Sequence, residues 1–243
     1  MNRLIIENLS AGYGAVSVLH DVSIEVEEGE FVALLGTNGN GKSTLLNCIM
    51  GFIRPRRGRI ILEWDGKALD LTALPAHEIV RRGLSMVPEG RRLVPNLSVE
   101  DNLKLAGSNP IVRDRLSQNL EYCYKTFPLL RERKAQLAGT MSGGQQQLLA
   151  IARSLMGVPK IIVVDEPSVG LAPIVVSQVI EVIRTLQKDN NLTILMAEQS
   201  FLQAVDVASR AYVLAHGRIA RNFDRKSGDI DQDDIRRALL GAA

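Results

Sequence analysis

The sequence predicts an α/β protein: a mostly parallel sheet with an antiparallel β portion at its start and a helical insertion in its middle. Three observations predict this. Strand-like alternation runs through the first 35 residues, three later apolar runs each end in polar residues, and β-rich runs are missing between about Pro88 and Gly157.

The elements follow in order. LIIENL and VSIEVEE alternate apolar and polar residues, a Glu28-Gly29-Glu30 turn follows, and FVALLG reads as one buried strand. RIILEW, after an arginine-rich loop around Gly58, is a hairpin partner for this opening sheet. LSMVP, IIVVDEP and TILMAEQ, separated by helical stretches, have the form of parallel strands. Ligands of such sheets bind at the carboxyl ends of the strands. In the middle, Ser98-Val99-Glu100-Asp101 and Ser142-Gly143-Gly144-Gln145 both have capping-box spacing and predict helix starts. The expected organisation is a single domain over 1–243, with 1–88 and 157–243 as α/β core with β subdomain and 89–156 as an inserted helical subdomain. DIDQDDIRRALLGAA reads as a last helix with a frayed end.

With 46% hydrophobic residues in 243, the chain can bury a sizeable core. Its 29 basic and 27 acidic residues nearly cancel, so no overall field favours nucleic acid or an anionic membrane. The pairs Arg56-Arg57, Arg81-Arg82, Arg91-Arg92 and Arg236-Arg237 read as solvated surface or subunit contacts, and no nucleic-acid partner is expected. MNRLIIENLS is too short in apolar residues for a signal peptide, and no apolar run nears the roughly 20 residues a membrane-spanning helix needs. A soluble, intracellular protein is the expectation. Cys48 and Cys123 stand apart with no CxxC pair, as reduced thiols.

FVALLG runs directly into GTNGNGKST, which satisfies G-x-x-x-x-G-K-[ST] between a strand and a helix. Glycines without Cβ atoms let consecutive backbone N–H groups turn inward, and the following helix points its positive end at the same spot. Gly36, Thr37, Asn38, Gly39, Asn40, Gly41, Lys42, Ser43 and Thr44 therefore form a candidate polyphosphate cradle. Lys42 would reach the β- and γ-phosphates, and the Ser43 hydroxyl is offered to Mg²⁺. IIVVDEP supplies two adjacent carboxylates at a strand end: Asp165 for a magnesium-bound water and Glu166 as general base. In MSGGQQQLLAIARSLMG, Ser142 is a natural N-cap and Leu148, Ile151, Ala152, Leu155 and Met156 form a helical apolar stripe. Gly143 and Gly144 cost this helix of order 1 kcal/mol each relative to alanine. A close approach by another group, such as an anion, would explain them.

The order GTNGNGKST, VPEGRR, MSGGQQQ, IIVVDEP resembles the ATP-binding subunit of an ABC transporter over essentially the whole chain. SAGYG, VPEGRR, SVGLAP and the MAEQ ending are most similar to the branched-chain amino-acid uptake type. The resemblance implies a P-loop NTPase (RecA-like) core and an ATPase using ATP and Mg²⁺. It also implies a dimer, with an identical or paralogous second subunit, in which each ATP lies between the P-loop of one subunit and Ser142-Gly143-Gly144 of the other. Tyr13 matches the aromatic that stacks on adenine, and Glu89 stands where most of the family has Gln, as a candidate contact to magnesium-bound water.

Integral membrane permease subunits would dock near Glu89, with a periplasmic or extracellular solute-binding protein acting through them. The chain would sit on the cytoplasmic face of the membrane. Two departures stand out: SVGLAP lacks an aspartate many relatives carry, and Gln199 occupies the place of a His that contacts the γ-phosphate. A carboxamide can donate to that oxygen without titrating near neutral pH. Beside it, Glu198 is expected to point elsewhere and Ser200 to cap the next helix. Alternatives are a weakly hydrolysing nucleotide sensor, uptake of another small solute such as urea or amides, or a soluble ABC ATPase of translation or DNA repair.

Overall fold

The computed structural model of the chain describes residues 2–108, 112–226, 228 and 234–237. Two sheets organise it. The first is antiparallel, ordered β2-β1-β4-β5, from β1 (Arg3–Tyr13), β2 (Val16–Glu27), β4 (Arg57–Trp64) and β5 (Lys67–Asp70). The second is ordered β10-β9-β3-β8-β7-β6, from β3 (Phe31–Leu35), β6 (Leu84–Val87), β7 (Ile161–Asp165), β8 (Thr193–Glu198), β9 (Arg210–Ala215) and β10 (Arg218–Asp224). All its pairs are parallel except β9 with β10.

The buried runs take the centre for a simple reason. Every residue of β3, β7 and β8 is buried, as unbroken apolar strands must be when both faces are covered. Along β3, Phe31, Ala33 and Leu35 face one hydrophobic core, and Val32 and Leu34 face a second core shared with the antiparallel sheet and α1 (Lys42–Ile49). The first core packs against the segment between β6 and β7, which holds α3 (Val99–Ala106), α4 (Leu116–Thr126), α5 (Pro128–Glu132) and α6 (Gly143–Leu155). α2 (Ala76–Arg81) precedes β6, α7 (Pro173–Asn190) joins β7 to β8, and α8 (Phe201–Val207) joins β8 to β9.

The serines at the helix starts behave in three ways. At Ser142 the capping box is complete: its hydroxyl accepts from the Gln145 N–H, and the Gln145 side chain accepts from the Ser142 N–H. At Ser98 the hydroxyl accepts from the Asp101 N–H but donates to the Asp101 carboxylate, so the return bond differs. Aspartate is one methylene shorter than the glutamate or glutamine that the reciprocal motif uses. Ser200 precedes α8 but makes no side-chain cap, which corrects that expectation; its backbone, at φ −79° and ψ 89°, departs from the extended geometry of the two serines that do cap. The expected C-terminal helix lies largely outside the described residues, within which 234–237 are helical. Cys48 and Cys123 are both buried free thiols.

Candidate functional site

Sheet order decides which strand ends meet. In the run β3-β8-β7-β6 the strands are parallel, so Gly36, Gln199, Glu166 and Glu89 leave the sheet on one edge, although they are far apart in sequence. Backbone bonds tie the exits together: the Gly36 N–H donates to the Glu198 carbonyl at 3.3 Å, and the Glu166 N–H to the Ala197 carbonyl at 3.0 Å.

The loop from Gly36 leads into α1 through Gly41, whose φ of 100° lies in the left-handed region. A Cβ there would stand 2.7 Å from Leu19 Cδ2, so both backbone and space require glycine. Gly41 offers no side-chain cap, which leaves the first-turn N–H groups of α1 open, as an anion cradle needs. Asn40 braces this loop: its amide donates to Thr37 Oγ1 at 2.7 Å, and its carbonyl accepts from the His216 N–H at 2.9 Å.

Lys42 is buried with its Nζ folded into the cradle, 2.8 Å from the Gly36 carbonyl and 2.8 Å from Glu166 Oε1. Ser43 Oγ donates to Asp165 Oδ1 at 3.1 Å, so the hydroxyl and carboxylate singled out for Mg²⁺ are in contact. Burial pushes the Asp165 carboxyl up to about 6; the Ser43 bond opposes this, and the charges of Glu166 and Glu89 add to it. Glu166 has a φ of 44°, a strained conformation for a residue other than glycine. Tyr13, 53% exposed, brings its hydroxyl to 3.5 Å from Thr44 Oγ1. Tyr13, Val18, Asn38, Gly39, Gly41, Lys42, Ser43, Thr44, Glu89 and Glu166 line one cavity of about 460 Å³.

Gly36, Thr37, Asn40 and Asp165 stand behind this lining, and two further expected parts of the site, Gln199 and the Ser142-Gly143-Gly144 turn, are not among it. Gln199 is exposed at the end of β8, next to the Gly36 and Glu166 exits, and its backbone N–H donates to Glu198 Oε2 at 3.2 Å. Ser142, Gly143 and Gly144 line a different cavity, with Gly170, Leu171 and Ala172. Gly144 has a local reason to lack a side chain: a Cβ would come within 2.6 Å of Val175 Cγ1. The close approach that its glycine predicts is therefore made by α7 of the same chain.

The structure also identifies residues that the motifs did not. Glu198, fully buried, does point away from the cavity: it accepts from the Ser168 N–H at 3.1 Å and from Ser168 Oγ at 2.8 Å, fixing the loop that follows Glu166. Arg91, expected as solvated surface or a subunit contact, is part-buried and donates to Gln146 Oε1 at 3.2 Å. Asn102, with 0% exposure, bonds Val94, Leu97 and Ser98 and holds the 94–98 loop on α3. Its only signal in the sequence was a polar residue at a buried helical position.

The fold and this site define a P-loop nucleotide-binding cassette with a helical insertion. The family model described as ABC transporter matches residues 19–169, and the chain belongs to that family as an ATP-binding, ATP-hydrolysing subunit. It is 42% identical over 238 residues to the high-affinity branched-chain amino acid transport ATP-binding protein BraG of Pseudomonas aeruginosa, covering 98% of this chain and 99% of that one. Among solved structures it is similar to a nucleotide-free ATP-binding cassette from an ABC transporter, with TM-score 0.82 and 28% identity over 99% of this chain and 96% of that chain. It is also similar to a dimeric bacterial ABC transporter cassette, with TM-score 0.77 and 26% identity over 91% and 98%. No helix among the described residues is long and apolar enough to cross a membrane.

Proposed function

We propose that this ATPase is a magnesium-dependent motor that works as a dimer with a second ATP-binding subunit and drives amino-acid uptake, of branched-chain amino acids first. The observation that carries the catalytic part is the convergence of Lys42, Ser43, Asp165 and Glu166 at one strand edge, joined by the 2.8 Å Lys42–Glu166 and 3.1 Å Ser43–Asp165 contacts. The full-length likeness to the Pseudomonas protein supports the cargo class. Separate integral membrane subunits, met on the cytoplasmic face, would supply the pathway, and a solute-binding protein would deliver the cargo.

The resting contacts suggest an order of events. Lys42 is held by neutral carbonyls and by Glu166, and a polyphosphate entering the cradle offers its ammonium anionic oxygens in place of both the carbonyls and the Glu166 carboxylate. Glu166 is thereby released to accept a proton from the attacking water. Tyr13 stacks on the adenine, the loop N–H groups from Gly36 to Thr44 hold the phosphates, and Gln199 donates to a γ-phosphate oxygen.

Ser43 and Asp165, with Glu89 nearby, suit Mg²⁺. This ion takes one or two carboxylates plus substrate oxygens, and Asp165 sits where burial and like charge disfavour an uncompensated carboxylate. Bound there, Mg²⁺ would supply charge neutralisation for the β- and γ-phosphates. Ser142 and the uncapped N–H groups of Gly143 and Gly144 would close on the nucleotide of the second subunit.

The test compares Mg²⁺-dependent ATP hydrolysis by the chain, alone and co-purified with its membrane subunits, with that of Glu166→Gln. The variant is expected to bind ATP and lose turnover by about 100-fold or more, as loss of a general base does. Equal turnover by both would refute the base assignment, and no turnover even with membrane partners would favour a nucleotide sensor.

A further inference from the structure

The hairpin that carries Tyr13 overhangs its sheet. β1 pairs with β4 as far as Ser10, opposite Arg57, and beyond that point it pairs with β2 alone, setting Gly12 against Ser17 and Tyr13 against Val16 across the Gly14-Ala15 turn. A two-stranded ribbon is marginal on its own. This one is also irregular, with register shifts between Leu9 and Ala11 and between Ala11 and Gly12. Tyr13 and Val16 are 53% and 64% exposed, so side-chain packing does little to hold the tip.

Arg56, the residue before β4, crosses this overhang. Its backbone N–H donates to the Ser10 carbonyl at 2.8 Å, where β1 and β4 part. Its side chain goes on to the tip: Nη2 donates to the Gly14 carbonyl at 2.5 Å and to the Val16 carbonyl at 3.2 Å. One carbonyl belongs to the turn and the other to the first residue of β2, so a single cationic nitrogen closes the hairpin end. Hydrogen bonds from an ionised donor are stronger than neutral ones. On the cavity side, the Tyr13 hydroxyl stands 3.5 Å from Thr44 Oγ1, and Val18 lines the P-loop cavity with Tyr13.

We infer that Arg56 is a positioning residue for the adenine platform: by bonding the Gly14 and Val16 carbonyls it fixes the hairpin tip, so that the Tyr13 ring is preset to receive the base. This rests on the proposed stacking of Tyr13 on adenine. A preset platform raises affinity by removing the ordering cost that a loose tip would incur on binding. The phosphate cradle is braced separately, through Asn40, Thr37 Oγ1 and the His216 N–H, so the effect of Arg56 falls on the base and not on the phosphates.

The experiment measures, by calorimetry on the full chain in the Glu166→Gln background, the affinity for magnesium ATP and for magnesium tripolyphosphate, which has the phosphates without the base. Arg56→Ala is expected to weaken ATP about fivefold, within the net range of a hydrogen bond, and tripolyphosphate by no more than about twofold. Tyr13→Ala should weaken ATP about tenfold or more, in the range of base–aromatic stacking, and leave tripolyphosphate equally unaffected. In the Tyr13→Ala background, Arg56→Ala should bring no further loss, because it acts through that ring.

Unchanged ATP affinity in Arg56→Ala, an equal loss for ATP and tripolyphosphate, or a full additional loss in the Tyr13→Ala background would each overturn the inference. Tyr13→Ala also separates the two readings. If it leaves ATP affinity unchanged, the stacking is wrong and the role of Arg56 falls with it; if it weakens ATP while Arg56→Ala does not, only the role of Arg56 is wrong.

Discussion

Glu198 should be more than the last residue of a strand. It is fully buried; one carboxylate oxygen accepts from the Ser168 N–H, and the other accepts from Ser168 Oγ and the Gln199 N–H. Glu198→Gln keeps the shape but replaces one oxygen with an NH₂ group. Whichever way the amide turns, one backbone N–H, of Ser168 or of Gln199, then faces a donor. A buried donor left without an acceptor costs about 1–3 kcal/mol.

Against this, glutamine avoids the cost of burying a charge. Burial raises the Glu198 carboxyl above its ordinary value, although the Ser168 bonds hold it down in part. A raised folded-state pKa means that the protonated form is favoured by folding. The stability this group contributes is therefore full below the ordinary carboxylate value and is lost as pH rises through the folded-state value. The deficit of Glu198→Gln should accordingly be about 1–2 kcal/mol near pH 5 and smaller near pH 8. Urea unfolding of the chain and the variant at the two pH values measures it. Turnover should fall about tenfold as the loop after Glu166 loosens, since a small misplacement is costly in an active site. Equal urea midpoints at both pH values, or a deficit that grows with pH, would refute the reasoning.

Two further outcomes are expected. Gly144→Ala brings a methyl against the β-branched Val175 and should destabilise the chain by about 1–3 kcal/mol, an overpacking cost that Val175→Ala restores in the double variant; thermal unfolding of the three variants decides it. Gln199→Ala should lower ATP turnover more than ATP binding, because a contact to the γ-phosphate matters most where charge develops; an unchanged rate would return Gln199 to a mere strand exit.

The order of strands could not be read from the sequence, and it is what assembles the site. Period-2 alternation identifies Leu4–Leu9 and Val22–Glu28 as strands, and apolar runs identify β3, β7 and β8, because covering both faces of a strand confines its polar residues to the ends. Nothing in those runs says that β8 lies between β3 and β7, which brings the Gln199 exit beside Gly36 and Glu166.

Local rules likewise sufficed where the chemistry is local. The glycines of the P-loop, the lysine six residues after Gly36 and the reciprocal cap at Ser142 each follow from backbone geometry over a few residues. They failed where a partner comes from far along the chain. Ser200 has capping chemistry but not the backbone angles, Arg91 looks like solvated charge until Gln146 is placed beside it 55 residues later, and Gly144 is explained by Val175, which is on another helix.

The sequence alone thus singled out candidates for phosphate, magnesium and proton chemistry, because those capacities belong to side-chain type and short spacing. Only the tertiary structure decided that Lys42 rests on Glu166, that Glu198 anchors Ser168, and that the start of α6 opens on a cavity separate from the P-loop. Burial and long-range contact are properties of the packed chain, and no local pattern encodes them.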